Sequence, residues 1–466
     1  MIKLSFFGGT KIVTGANYLL EIGKKKILID CGLFQGKEEW VKKNYEPFPF
    51  SPKEIDTLIL THAHLDHIGR VPKLVREGFS GKIFATFATL DLAKLLLEDE
   101  LSLQEEGISE VFQFFTKEDL ERTYKLFFPI DYHQEITLFE DKKTKVTFKL
   151  LDAGHILGSS IVEIYIYSDK DLKKIVFSGD LGNPPTPLLR PTEYPDGADW
   201  VVIESTYGDR VHRDFLKRKD ILEDIIEESA KEKGVLLIPS FAVERTQELL
   251  FELNDLVENG KIPRVPVFLD SPLAIRSVEI YKRYEKYYNK EASYLLKSGD
   301  EIFKFPGLHF TKTPEESKRI EKVPPPKIII AGSGMSTGGR ILHHEKIYLP
   351  NPNTTLLFIS YQAEGTRGRE ILEGKKEIEI FGEKVKVKAK IKVLYGYSAH
   401  ADREALLRWV NHIKMANQKK EKGPIKKVFV VQGEEKPAQA LCQAIKDFLG
   451  IEAEVPNYNS SYILPA

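Results

Sequence analysis

Five times in its first half the chain runs through a short apolar segment and stops on a residue that can do chemistry. Lys26-Ile27-Leu28-Ile29 delivers Asp30, and the run from Ile55 to Leu60 delivers Thr61-His62-Ala63-His64-Leu65-Asp66-His67. Phe148-Lys149-Leu150-Leu151 leads to Asp152 and His155, Ile175-Val176-Phe177 to Asp180, and Trp200-Val201-Val202-Ile203 to Glu204. Apolar runs of this length, bounded by glycine and polar residues, read as buried strands. Strand ends gather distant groups into one place when they share a rim of a sheet. The pattern therefore asks for an α/β fold whose rim carries the chemistry, and each residue taken alone has a plain alternative: Asp30 capping a turn, His155 a satisfied structural histidine.

The densest point is the stretch from His62 to His67, which holds three of the 11 histidines. His62 and His64, two apart in extended chain, point the same way. Asp66 and His67 follow where the chain turns. Imidazole and carboxylate are the ordinary ligands of zinc and its divalent neighbours. The ions of a two-metal site lie roughly 3.5–4 Å apart, so one short loop can feed both. A surface run of histidines is the competing reading, but a strand end is a poor place to leave such groups without partners. Gly154 and Gly158 let the chain turn beside His155. Asp180, after Gly179, can give one oxygen to each of two ions.

After Glu204 the texture changes. Helical patterns at 221–231 and 244–257 alternate with apolar runs at 235–238, 265–269, 327–330 and 355–359. Strands alternating with helices imply a parallel sheet with crossovers. The charged, proline-rich stretch from Thr311 to Pro326 reads as a loop. The run from Gly332 to Arg340 lies between a strand and a helix, where backbone amides can cradle a phosphate, or simply form a tight turn. It lacks the ending of a Walker loop. From Val385 to Val393 apolar residues alternate with Lys386, Lys388, Lys390 and Lys392, as in one half-buried strand with a cationic face. Ser398-Ala399-His400-Ala401-Asp402 opens a helix through Met415. The strand Val428 to Val431 ends at Gln432, and a helix near 437–449 and a short strand near Glu452 close the chain.

The 466 residues suit two domains, and 42% apolar content supplies their cores. A formal net charge of −1 rules out a globally basic surface, so a polyanion would have to bind in a local cleft or on metal. Cys31 and Cys442 are the only cysteines, which excludes a disulfide framework and fits a reducing cytoplasm. No apolar run approaches membrane-spanning length, and the N-terminal segment meets Gly8-Gly9 too soon for a signal peptide.

The cluster His62-x-His64-x-Asp66-His67, with Asp30 before it and His155 and Asp180 after, resembles the metallo-β-lactamase superfamily, whose fold is an αβ/βα sandwich with two metals at one rim. The rest resembles its β-CASP branch, nucleases that include the 3′-end-processing endonuclease subunit and bacterial and archaeal RNA-cleaving relatives. The matching residues are Glu204 in Glu204-Ser205-Thr206-Tyr207-Gly208-Asp209-Arg210 and His400 in Ser398-Ala399-His400-Ala401-Asp402. Phe241 to Gln247, Leu269 to Ala274, Gly332 to Arg340 and Tyr361 to Thr366 fit the same branch.

The resemblance implies a metallo-β-lactamase domain over 1–207, an inserted parallel α/β β-CASP domain over 208–373, and a return segment over 374–466. It implies one or two zinc ions, the first held by His62, His64, His155 and Asp180, the second by Asp66, His67 and Asp180. Asp66, Glu204 and His400 become the catalytic residues, and Asp30 supports the histidines from behind. Ser333, Gly334, Ser398, Ala399 and His400 would lie near phosphates of a single-stranded RNA in a cleft between the domains. The implied activity is hydrolysis of RNA phosphodiester bonds in processing or decay, and a homodimer is compatible with it. One position departs from the pattern: Gln432 stands where RNA-cleaving members carry a histidine. A neutral amide oxygen is a weaker zinc ligand than imidazole. The second ion is therefore expected to be weakly held or replaceable by manganese, and DNA stays open as a substrate. A catalytically weak nucleic-acid-binding subunit is the reading from another class. A glyoxalase-type thioesterase or a lactamase is disfavoured by the inserted domain and the pair Glu204 and His400.

Overall fold

The computed structural model describes residues 1–107, 111–168, 171–211, 217–363, 365–397 and 399–465. The chain divides into two compact units, one of Met1–Thr186, Arg190–Val211 and His400–Ala466, the other of Pro187–Leu189 and His212–Ala399.

The first unit is built on two seven-stranded sheets. In one, the order is Ser460–Leu464, Ile2–Phe6, Tyr18–Ile22, Lys25–Ile29, Thr57–Ile59, Lys82–Thr86, Phe127–Ile130. Pairing is antiparallel as far as Lys25–Ile29 and parallel beyond it. In the other, the order is Ala453–Glu454, Lys427–Val430, Trp200–Ile203, Asp171–Phe177, Ser160–Ser168, Thr144–Asp152, Ile136–Glu140. Alternation along the strands assigns each side chain to a layer. Trp200, Val202 and Phe429 meet Leu4, Phe6, Leu20 and Ile29 in the core between the sheets. Val201, Ile203, Val428 and Val430 face the other way, onto Trp409 of the helix Arg403–Lys419 and Leu441 of the helix Glu435–Ala444. On the first sheet, the helix Phe87–Glu105 packs beside the strands Lys82–Thr86 and Phe127–Ile130. The expected helix–sheet–sheet–helix sandwich results. No helix among the described residues is long and apolar enough to cross a membrane.

The second unit carries a six-stranded, all-parallel sheet in the order Leu308–Phe310, Val267–Asp270, Lys327–Ala331, Val235–Pro239, Thr354–Phe358, Lys390–Val393. Its central strands are buried along their whole length, which is why they read as continuous apolar runs.

Three local expectations change. The stretch Thr311 to Pro326 is not all loop: Pro314–Arg319 is a helix, because Thr313 and Glu316 form a reciprocal capping box with Pro314 in the first turn. The alternation from Val385 to Val393 is not one strand. Glu383–Lys386 pairs antiparallel with Glu377–Ile380, while Lys390–Val393 joins the parallel sheet beside Thr354–Phe358. Between them the amides of Lys388 and Ala389 both turn to the Leu349 carbonyl. Lys390 and Lys392 are paired with Glu232 and Glu228. That last strand also carries the second compact unit past residue 373, to Ala399. Finally, Ser460–Leu464 was not foreseen as a strand; it pairs with Ile2–Phe6.

Candidate active site

Six strand ends of the first unit converge. Asp30 follows Lys25–Ile29, His62 follows Thr57–Ile59, and His155 follows Thr144–Asp152. Asp180 follows Asp171–Phe177, Glu204 follows Trp200–Ile203, and Gln432 follows Lys427–Val430. His64 caps the short helix Leu65–Ile68, which turns Asp66 and His67 back toward the same point. His62, His67, His155, Asp180 and Glu204 are each at most 2% exposed.

Three groups of candidate donors share Asp180: one contains Glu204 and His400, and the other two are the expected metal sets. One atom each of His62, His64, His155 and Asp180 lie within 4.8 Å of one another, as do atoms of Asp66, His67 and Asp180. In the first set His62 Nε2 and His155 Nε2 stand 3.1 and 3.2 Å from His64 Nδ1. Asp180 Oδ2 lies 3.5 Å from His62 Nε2 and 3.7 Å from His155 Nε2. Ligands at zinc-like distances of about 2.0–2.1 Å sit roughly 3.3 Å apart along a tetrahedral edge, so the set fits a tetrahedral ion. In the second set His67 Nε2 is 3.4 Å from Asp180 Oδ1 and 3.6 Å from Asp66 Oδ2. Asp180 Oδ1 is buried without a hydrogen bond among the described residues. The donor chemistry thus fits divalent metal ions, with Asp180 offering one oxygen to each set.

The electrostatics ask for cations too. Burial, then the neighbouring imidazole of His67, push His62 well below its ordinary pKa, which keeps it a neutral ligand. Burial also depresses His67, but Asp180, Asp66 and Asp30 outweigh it and raise that imidazole well above the usual value. Burial lifts Asp66 to about 6. Such a concentration of carboxylate in a dry site calls for bound positive charge.

The supporting contacts set ring orientation. Asp30, itself fully buried, accepts from His67 Nδ1 at 2.7 Å and from Thr61 N and Oγ1 at 2.8 Å each. That bond points His67 Nε2 into the site, as outer partners of metal-ligating histidines do. Thr61 Oγ1 also lies 3.1 Å from His62 Nδ1. Thr61 was not singled out as a site residue; its place at the head of the histidine run was the available signal.

Glu204 and His400, 196 residues apart, meet through His400 Nδ1, 3.1 Å from Oε2 and 3.3 Å from Oε1. Glu204 Oε1 also accepts from the amide of Leu181 at 2.7 Å. Asp402 fixes the start of the helix behind His400 by accepting from Ala405 N. His400 Nδ1 is 3.8 Å from Asp180 Oδ2, and its ring lies 4.6 Å from that of His155. Burial pulls the His400 pKa down, but the Glu204 carboxylate overrides it and lifts the imidazole to about 9.

Gln432 enters differently from the expectation. Its backbone is left-handed, at φ 47°. Its amide nitrogen, not its oxygen, faces the cluster, donating to Asp66 Oδ2 at 2.8 Å and to the Val13 carbonyl at 3.0 Å, and lying 2.9 Å from His67 Nε2. Oε1 is buried with no hydrogen bond among the described residues. An amide nitrogen is not a ligand; in this orientation Gln432 is a donor to the second set.

Of the residues expected near substrate, Ser333 and Gly334 lie in the second unit after the strand Lys327–Ala331, and Ala399 is that unit's last residue. Ser398 lies outside the described residues. Ser333 Oγ accepts from the amides of Thr337 and Gly338 at 3.0 and 3.2 Å. Those two amides are therefore spent inside the glycine-rich loop, which leaves fewer for a phosphate.

Residues 19–181 match the metallo-beta-lactamase superfamily domain, residues 246–371 the Beta-Casp domain, and residues 384–456 the Zn-dependent metallo-hydrolase RNA specificity domain. Ribonuclease TTHA0252 of Thermus thermophilus is 39% identical over 404 residues, covering 87% of this chain and 89% of its own. The transcription termination factor FttA of Methanosarcina mazei is 32% identical over 97% of this chain and 70% of its own. An RNase J-like protein of Methanocaldococcus jannaschii is 32% identical over 98% of both. Among solved structures, a protein of unknown function from Enterococcus faecalis V583 shares the fold, with a TM-score of 0.54 at 14% identity over 99% of this chain and 100% of that one.

Proposed function

This chain belongs to the β-CASP family of the metallo-β-lactamase superfamily, and from that premise we propose that it hydrolyses phosphodiester bonds of single-stranded RNA, with zinc, in cytoplasmic RNA processing or decay. It is a metallo-hydrolase, and its RNA-specificity segment and ribonuclease relatives make it an RNA-cleaving one. The observation that carries the fuller reading is a single constellation: two donor sets sharing Asp180, with His400 held by Glu204 beside them.

His62, His64, His155 and Asp180 would hold one metal ion, and Asp66, His67 and Asp180 a second. Ions held there would supply Lewis acidity toward a phosphoryl oxygen and a more acidic water. The protein's own groups do the rest. Asp66, whose Oδ2 is engaged by Gln432, offers its other oxygen to orient the attacking water. Glu204 fixes His400 through Nδ1, so Nε2 is the nitrogen that carries a proton toward the departing 3′ oxygen. Asp30 holds His67 in the tautomer that leaves Nε2 for a ligand role.

The test is elemental analysis of purified protein together with cleavage of end-labelled single-stranded RNA and DNA, before and after chelation. The expected result is bound zinc and RNA cleavage that chelation abolishes and zinc restores. Protein that binds RNA without cutting it under metal-replete conditions would establish the non-catalytic reading instead. Preferential cutting of DNA would overturn the choice of substrate.

A further inference from the structure

The first unit also carries an aromatic notch, joined by backbone contacts to the loop that bears Asp66 and His67, that neither the metal chemistry nor the pair Glu204 and His400 uses. Its floor is Phe34, fully buried, with the Arg70 guanidinium over its ring at 4.4 Å. Asn44 locks Phe34 in place, accepting from its amide at 2.9 Å and donating to its carbonyl at 2.7 Å. Trp40 stacks on Phe34, ring centres 5.6 Å apart and planes 20° from parallel. Tyr458 stands nearly perpendicular to Trp40, 5.8 Å away at 74°. The Lys43 ammonium lies in the angle between the two rings, 4.6 Å from the centre of Tyr458 and 5.9 Å from that of Trp40. Trp40, Tyr458 and Lys43 are each only partly buried.

Backbone contacts tie this notch to the metal ligands. The Leu33 amide donates to Leu65 O and the Cys31 amide to His67 O, so Phe34 follows directly on the chain that cradles Asp66 and His67. Gln432 N donates to Gly9 O, and Asn459 N to Phe6 O, so Tyr458 and Gln432 hang on the same N-terminal segment.

We propose that Trp40 and Tyr458 form a stacking subsite for a base of the single-stranded RNA flanking the scissile phosphate, with Lys43 moving from the notch to that nucleotide's phosphate. The inference rests on the RNA-cleaving reading and adds a subsite to it. Aromatic faces joined to a cation are the general means of holding single strands without reading their sequence. The notch already holds its own cation, which also lies 3.6 Å from the exposed Glu46 Oε2; this disfavours a cationic ligand and suits a neutral ring whose attached phosphate takes the ammonium from that surface pair. The competing account is that Trp40 merely anchors the short helix Glu38–Val41.

The chain offers a direct reporter. It has 3 tryptophans, and Trp200 and Trp409 are 1% and 2% exposed, so Trp40 is the one open to solvent. Titrating the metal-loaded protein with a non-cleavable, unstructured oligoribonucleotide should quench its fluorescence saturably, and the quench should vanish in Trp40→Phe, whose smaller ring keeps the packing. In steady-state cleavage, Trp40→Ala and Tyr458→Ala should each raise KM by roughly 5- to 150-fold, and by more than they lower kcat. An abasic nucleotide at the stacked position should reproduce that rise in the wild type and add nothing in Trp40→Ala. RNA cleaved with wild-type KM by both alanine variants, with no quench in the wild type, would overturn the subsite while leaving the nuclease reading intact. Saturable quenching without any cleavage would support the subsite and count against the nuclease reading alone.

Discussion

Buried carboxylates sit at strand ends in both units, and they are treated in opposite ways. In the second unit Asp270, 0% exposed, ends the strand Val267–Asp270. It accepts from Arg340 Nη1, Thr311 Oγ1 and His344 Nε2 at 2.7 Å each and from Ser317 Oγ at 2.6 Å. Burial alone would raise its pKa, but those donors hold it down at about 2. In the first unit Asp180 is as deeply buried, yet one of its oxygens has no hydrogen bond among the described residues, and its neighbours are imidazole nitrogens that also face one another. A buried carboxylate with its full complement of donors is architecture. One left short of donors, among imidazole nitrogens, fits a bound cation.

The largest break in that contrast should come from the ligand side. His64→Ala removes one of three imidazoles from the first donor set, so most of its metal should be lost and cleavage should fall to background, while Asp270→Ala should leave metal content unchanged. Elemental analysis of the two variants side by side checks both. His400→Ala probes the boundary of the ligand set: it should retain metal and slow cleavage roughly 10²- to 10⁴-fold, the usual worth of a general acid. Loss of zinc in that variant would move His400 from catalysis into ligation.

On the structural side, Asp270→Ala strips Arg340 and His344 of their shared partner. It should cost about 3–5 kcal/mol in denaturant unfolding, the range for a broken buried pair. The pH sign follows from the depressed folded pKa. The stabilisation is complete above the unfolded carboxylate value of about 3.9 and is lost as pH falls toward about 2, so the variant should lack the wild type's acid limb.

Glu345 tests the same contrast by another route. It is fully buried, its Oε1 accepts from the Ser336 hydroxyl, and its Oε2 has no hydrogen bond among the described residues. Burial raises it to about 8, against the pull of Ser336 and Arg367. Here a missing cation is replaced by a proton. The folded state keeps that proton where the unfolded chain releases it, so stability should decline as pH rises from about 4.3 to about 8 and level off above. Glu345→Gln should flatten that decline, read from melts at about pH 5 and pH 8.

What was legible in the sequence tracks how local the cause is. The donors from His62 to His67 lie on one short loop, and Asp30, His155, Asp180 and Glu204 each directly follow an apolar strand, so period and punctuation expose them. His400 and Glu204 meet across 196 residues, and only resemblance joined them. The capping box at Thr313 was hidden because proline and charge signal loops as readily as helix starts. The alternation from Val385 to Val393 misled because its two halves share a period but pair with different sheets. The Asp270 network, the pairing of Ser460–Leu464 with Ile2–Phe6, and the notch of Trp40 and Tyr458 depend on contacts between distant segments, which leave no local pattern.

Gln432 gives the smallest effect and the finest test, because it decides how far the second donor set resembles the first. The first set has three imidazoles and Asp180; the second has one imidazole, two carboxylates and an amide that turns its nitrogen inward. Bringing the amide oxygen to an ion would require a half-turn of the amide, sacrificing the bonds to Asp66 and Val13 and placing the nitrogen where Oε1 now has no partner. That cost should weaken the second site relative to the first. Metal titration of stripped protein should then show one tight and one weak event, with cleavage following the weak event or responding to manganese, which accepts an oxygen-rich set more readily than zinc does. Gln432→His restores a nitrogen donor with no amide to turn, and should tighten the weak event by about tenfold, the lower end of what a misplaced supporting group costs a metal site. The first event should not move. Two equally tight events in the wild type, unchanged by Gln432→His, would mean that Gln432 stands outside the coordination sphere and that the two sets differ in donors without differing in grip.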